Sequence, residues 1–173
     1  MANVVIEEYN PQWIIQFEEE KGRLESILND KAICIEHIGS TSVTGLGAKP
    51  ILDIAVAVHA FSVVHEFFEP LRRIGYEFVD HAAFPERRFF RKGPWGAGTH
   101  HLHIYLFDEE PWKNQLIFRN FLRKHPEVLK EYYQLKLRLS QDFQFDRASY
   151  TEGKTEFIQE MLRQAKIECG KFN

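Results

Sequence analysis

The feature that most constrains this chain is the run over residues 37–53, H-I-G-S-T-S-V-T-G-L-G-A-K-P-I-L-D. It leaves an apolar segment at 32–38 and enters a second one at 51–58, which predicts two strands joined by a glycine- and hydroxyl-rich connection. Gly39, Gly45 and Gly47 let backbone N–H groups turn toward a ligand, and Ser40, Thr41 and Ser42 add small donors. That chemistry suits a phosphate, although turns of this composition also join strands without binding anything. Within the second strand, Leu52, Ile54, Val56 and Val58 share one face, leaving Ile51, Asp53, Ala55 and Ala57 on the other. Asp53 is the one ionisable group in that apolar segment, and an unpartnered carboxylate there is costly. A cation, a basic side chain or backbone donors are expected beside it.

A chain of 173 residues with 44% apolar and 14% aromatic composition can bury a substantial core, and a single domain over residues 1–173 accounts for its length. Its 22 basic and 25 acidic side chains leave a net charge of -3, which argues against bulk electrostatic binding of nucleic acid. Cys34 and Cys169 have neither disulfide-framework nor metal-type spacing and read as reduced thiols. The N-terminus has no basic segment followed by an apolar one, and no apolar run approaches the roughly 20 residues of a membrane span. A cytoplasmic protein without membrane association is expected.

Asn10 and Pro11 open a predicted helix that runs to Asn29, with Tyr9 stapling against Ile14 and Glu18, Glu19 and Glu20 on a solvated outer face. A second amphipathic helix is predicted over 61–74, ending at Gly75, with His65 as a lone surface histidine. Strands follow at 76–80 and 87–92. The glycine-rich turn at 93–98, with Trp95 at its tip, then predicts a hairpin into a strand at 99–107. Alternation places His101, His103 and Tyr105 on one face of that strand and Leu102, Ile104 and Leu106 on the other. The last third reads as helices, with Arg119 and Arg123 four residues apart on one stripe. Ser149 and Glu152 make a capping box for the final helix, and Tyr150 and Lys154 extend its inward stripe.

Three segments, E-H-I-G-S-T-S-V-x-G-L-x-A-K-P-I-x-D-I from Glu36, F-F-R-K-G from Phe89 and H-L-H-I-Y-L from His101, closely resemble the GrpB-like family. That family is grouped with the nucleotidyltransferase superfamily. The resemblance implies an α+β fold: a mixed β-sheet of nucleotidyltransferase type with flanking helices and a helical C-terminal third. The superfamily pattern is a Gly-Ser turn followed by an acid pair two residues apart and a third acid on a neighbouring strand, holding two metal ions. Here Asp53 is followed by Ala55, and the neighbouring strand offers His101 and His103. Magnesium prefers oxygen ligands, whereas one carboxylate with imidazoles suits a single ion such as Mn or Zn. A divalent metal (Mg, Mn or Zn) held by Asp53, His101 and His103, with His37 as a further ligand, is therefore one expectation. A histidine oriented by Asp53 as general base is the other.

For the phosphate, the resemblance gathers Gly39, Ser40, Thr41, Lys49, Arg88, Arg91 and Lys154 near one cleft, with Arg87 alongside. Asp53, His101 and His103 are the catalytic candidates. Other phosphate chemistries fit less well: the third position of His-x-His-x-His is Tyr105, and Gly45 to Lys49 lacks the Gly-Lys-Ser/Thr of a Walker loop. The expected function is a nucleotidyltransferase-like protein acting on a nucleotide or phosphorylated small molecule. The alternative is a non-catalytic nucleotide- or phosphate-binding module. Some family members are fused to dephospho-coenzyme A kinase, which points that module toward coenzyme A metabolism.

Overall fold

The computed structural model describes residues 3–80, 84–94 and 97–170. Helix α1 (Gln12–Leu28) is followed by strands β1 (Cys34–Ile38) and β2 (Leu52–Val58), helix α2 (Phe68–Arg73), and strands β3 (Tyr76–Val79), β4 (Arg87–Lys92) and β5 (His100–Leu106). Helices α3 (Glu110–Lys124), α4 (Pro126–Asp142), α5 (Arg147–Glu152) and α6 (Thr155–Gly170) complete the chain. The strands form one mixed sheet in the order β1-β2-β5-β4-β3, in which β2 and β5 run parallel and the other pairs antiparallel. The expected α+β class, mixed sheet and C-terminal helices are all present. Trp95 lies outside the described residues.

The two faces of the sheet differ in chemistry. On one, Ile54, Val56 and Val58 of β2 and Leu102 and Ile104 of β5 pack with Phe17, Leu24 and Leu28 of α1 and Leu71 of α2. Each such fully buried aliphatic or aromatic side chain stabilises the fold by about 1.5–3 kcal/mol, so this side anchors the sheet. The other face carries small or polar residues, and only part of it is apolar: Ile38, Ala55, Ala57 and Tyr105 pack under Trp112 of α3. The C-terminal helices form a separate core with Val43 and Leu46 of the glycine-rich connection, which ties that connection to them.

Several local expectations are corrected. Residues 61–74 do not make one α-helix: a 3-10 segment, Phe61–Phe67, precedes α2. Pro70 explains the break, because inside a continuous helix it would lack a donor and clash with the carbonyl four residues back, whereas in the first turn it needs no donor. Glu20 is buried, since it follows Phe17 by three residues and precedes Leu24 by four on the same stripe. It is satisfied by Lys92 Nζ at 2.9 Å and Arg23 Nη1 at 3.0 Å. Tyr9 packs edge-on against Trp13, and Asn10 Oδ1 accepts from the Gln12 N–H at 3.0 Å. Asp146, not Ser149, is the cap at this end of the chain: its carboxylate accepts from the N–H groups of Ala148 and Ser149 and opens α5. Among the described residues no helix is long and apolar enough to cross a membrane.

Candidate functional site

The site is built where the β1–β2 connection meets the polar face of the sheet. Gly39 leaves β1 with φ +69°, and a Cβ placed on it would lie 2.5 Å from Asp53 Oδ2. Only glycine combines that backbone conformation with so close an approach to the carboxylate. The 3-10 turn Ser40–Ser42 follows, closed by Ser42 Oγ donating to the Gly39 carbonyl at 2.6 Å. The Ser42 and Val43 N–H groups are used within the turn, donating to the Gly39 and Ser40 carbonyls at 3.2 Å.

Three cations, Arg119 and Lys136 buried and Arg123 more exposed, hold this connection from the C-terminal helices. Arg119 Nη1 donates to the His37 carbonyl at 2.9 Å and to Glu36 Oε2 at 2.6 Å. Arg123 donates from Nε and Nη2 to the Ser42 carbonyl at 3.2 and 2.6 Å, and Lys136 Nζ donates to the Gly47 carbonyl. A Cβ on Gly47 would strike the Tyr133 ring at 2.4 Å, so α4 also sits directly against the loop. Helix spacing hints at Lys136 in advance: it lies four residues after Tyr132 and three before Leu139, on the apolar stripe of α4. Its role went unrecognised because nothing local distinguishes an inward lysine from one whose stem covers apolar surface.

Asp53, His101 and His103 do converge. Strand register sets Asp53 beside His101 and Ala55 beside His103 on parallel neighbours, so all three side chains share one face. Asp53 Oδ1 lies 3.1 Å from His101 Nδ1 and 3.6 Å from His103 Nε2. Burial alone would push the Asp53 carboxyl up, but the two imidazoles outweigh it and hold the group well below the usual carboxylate range. Burial pulls His103 down, against the opposing pull of Asp53 and with the help of the Arg87 charge. Arg87 Nη1 sits 3.0 Å from His103 Nδ1, and its guanidinium lies over the rings of Phe84 and Phe89. Tyr105 is buried between His103 and Trp112, so it is a packing residue and not a platform for a base.

Two of the expected ligand residues are elsewhere. His37 pairs with Ile54 across β1 and β2, which puts its side chain on the opposite face from Asp53. There it stacks on Phe17 at 4.5 Å and meets Thr41 Oγ1 at 3.0 Å, and burial holds it down at about 4, in the neutral form. It cannot join a metal set with Asp53. Thr41 itself is taken up by this contact and by donating to the Ile51 carbonyl at 3.3 Å. Arg88 also points away, with its guanidinium 4.1 Å from the Phe61 ring and Nη1 on the Pro85 carbonyl. Arg91 stands opposite His101 on the Asp53 face and pairs with Glu77 at 3.0 Å.

Beside Asp53 lies a cavity of about 240 Å³, lined by Ser40, Thr41, His101 and three lysines, Lys49, Lys136 and Lys154. Lys49 and Lys154 sit over the Tyr150 ring at 5.0 and 4.5 Å. Burial and the neighbouring lysine charges push Lys136 down to about 7 and Lys154 to about 8, while burial and the Arg147 charge lower Lys49. A second cavity of about 230 Å³ shares Ser40, Asp53 and Lys154 with the first and extends toward Gln115, Phe118 and Tyr132. Asp53 thus stands where the two meet.

The donor set can be tested against the metals in question. The ligand atoms of Asp53, His101 and His103 lie within 4.8 Å of one another, close enough to converge on one ion. With Ala55 in place of a second carboxylate, two oxygen-seeking magnesium ions are not matched.

Residues 3–164 match the family described as GrpB protein. The chain belongs to the GrpB family. Relatives include the UPF0157 protein YqkA of Bacillus subtilis (strain 168), 37% identical over 91% of this chain and only 46% of that protein's own length. The glutamate-rich protein GrpB of Alkalihalophilus pseudofirmus is 32% identical, with 94% of this chain and 96% of that one covered. The crystal structure of the conserved protein GrpB from Enterococcus faecalis superposes with a TM-score of 0.86 at 40% identity, covering 93% of this chain and 96% of that chain. A dephospho-CoA kinase of Mycobacterium tuberculosis (strain CDC 1551 / Oshkosh) is 26% identical over 90% of this chain and 44% of its own length.

Proposed function

We propose that the cavity beside Asp53 receives the phosphate of a nucleotide or another phosphorylated small molecule, in the manner of a nucleotidyltransferase-type domain. The observation that carries this reading is the convergence of Lys49, Lys136 and Lys154 on a cavity whose one lining carboxylate is Asp53. Three ammonium groups lowered by burial and by neighbouring positive charge are unfavourable on their own, and an incoming anion offsets that cost. Charge-assisted hydrogen bonds to phosphate oxygens contribute about 1.5–3 kcal/mol each. Ser40 and the backbone of Thr41 on this cavity, and Gly39 on the adjoining one, would supply neutral donors, and Arg91 adds charge beside His101.

Transfer and simple binding are separate readings of this pocket. Ala55 favours binding without transfer, because the pair of carboxylates that would hold two metal ions is missing. A phosphorylated coenzyme A precursor is the first organic ligand to try, given the kinase relative that shares this region. The test is a thermal-shift series with inorganic phosphate, nucleoside triphosphates and dephospho-coenzyme A, repeated on Lys154→Met. A shift lost in that variant supports the pocket, and phosphorus NMR of the same mixtures tells turnover from binding. The reading fails if no phosphorylated compound shifts the wild type, or if the shift is identical in Lys154→Met.

A further inference from the structure

We infer that Arg87 is a positioning residue that fixes the tautomer of His103, and so makes the Asp53, His101 and His103 cluster a proton-handling site and not a metal centre. A guanidinium has five donors and no acceptor, so Arg87 Nη1, 3.0 Å from His103 Nδ1, requires a lone pair on that nitrogen. In the neutral ring the proton then sits on Nε2, the nitrogen that faces Asp53 Oδ1 at 3.6 Å. That nitrogen has no lone pair left for a metal. Metal-bound histidines show the reverse arrangement, with the second ring nitrogen donating to a carboxylate, carbonyl or water.

Arg87 is held in this role by more than one contact. It is stacked between the rings of Phe84 and Phe89, at 4.8 and 5.4 Å, on the strand next to β5. A divalent ion on His103 would also stand one imidazole away from that guanidinium charge.

His101 takes the complementary tautomer. A carboxylate oxygen accepts, so His101 Nδ1, 3.1 Å from Asp53 Oδ1, carries the proton across that contact. Its Nε2 keeps a lone pair, and the ring lines the lysine cavity. This is the geometry of a carboxylate-oriented base. Resting on the phosphate-ligand reading above, His101 Nε2 takes the proton of a hydroxyl nucleophile as its oxygen bonds to phosphorus. The bond from phosphorus to the leaving oxygen breaks with its electron pair going to that oxygen, and Asp53 balances the imidazolium.

The tautomers and the metal preference are testable without any substrate. Long-range proton–nitrogen NMR of wild type at neutral pH is expected to show His103 protonated at Nε2 and His101 at Nδ1. Titration with zinc alone, followed by calorimetry, is expected to give binding about 10–100-fold tighter in Arg87→Met than in wild type, since the variant frees His103 to turn its lone pair toward the ion. On adding zinc, the His103 Nε2 proton should be lost in that variant and kept in wild type, a difference that a purely structural arginine would not cause. Stoichiometric zinc binding by wild type that is lost in Asp53→Asn overturns the proposal, as does His103 protonated at Nδ1 in wild type. Should Arg87→Met not fold, the wild-type spectrum decides alone. A wild type that ignores phosphate yet shows these tautomers refutes the ligand reading and leaves this one standing.

Discussion

Replacing Lys136 with methionine should make the empty protein more stable at neutral pH and less stable, relative to wild type, in alkali. Lys136 is 2% exposed, and burial with the nearby Lys154 and Lys49 pushes it from an ordinary 10.5 down to about 7. At pH 7 the unfolded chain holds that proton fully and the folded chain about half the time, a cost of about 4 kcal/mol at about 1.4 kcal/mol per pKa unit. The unfolded state binds more protons between pH 7 and 10.5, so wild-type stability rises with pH through that window, and the cost falls to about 1 kcal/mol at pH 10. Methionine keeps the apolar stem but leaves the Gly47 carbonyl without its donor, a loss of about 1–3 kcal/mol. The variant should therefore gain about 1–3 kcal/mol at pH 7 and lose up to about 2 kcal/mol at pH 10. Urea unfolding followed by circular dichroism at the two pH values measures both differences. A variant destabilised by more than about 1 kcal/mol at pH 7, with the same difference at pH 10, refutes the idea that Lys136 is an uncompensated buried cation.

Gly39→Ala should lose about 2 kcal/mol or more in the same unfolding assay, since alanine resists φ +69° and its Cβ displaces the Asp53 carboxylate. Arg123→Met removes both donors from the Ser42 carbonyl, and hydrogen exchange in the Ser40–Ser42 turn should quicken by about 10- to 100-fold, matching a local loss of about 1.5–3 kcal/mol. Unchanged exchange would mean that the turn does not depend on α3. Asp53→Asn should tighten inorganic phosphate binding by about 0.5–1.5 kcal/mol, because a like charge leaves the cavity wall, while any transfer activity disappears. Weaker phosphate binding in that variant would place the anion elsewhere.

Much of this arrangement is readable from residue order because strand alternation is a short-range rule. The two-residue period puts Asp53 with Ala55, and His101 with His103 and Tyr105, and each strand obeys it. The same rule, applied to register, explains the errors. His37 reads as close to the glycine turn, and it is, but pairing with Ile54 turns it to the far face. Arg88 fails for the same reason, alternating away from Arg87 and Arg91. Glu20 was read as solvated from its acidic neighbours, when its position between Phe17 and Leu24 decided its burial.

The amino-acid order alone determined the strand–glycine turn–strand frame and, within each strand, which residues accompany Asp53 and that His101 and His103 point the same way, because these follow from hydropathy periods a few residues long. Tertiary structure alone decided that β2 and β5 are parallel neighbours, that Lys136 reaches across from α4 to the glycine loop, and that Arg87 gives His103 a donor where a metal ligand needs an acceptor. Each of these depends on which surfaces are apposed across dozens of residues, and on hydrogen-bond polarity that only the partner atom can set.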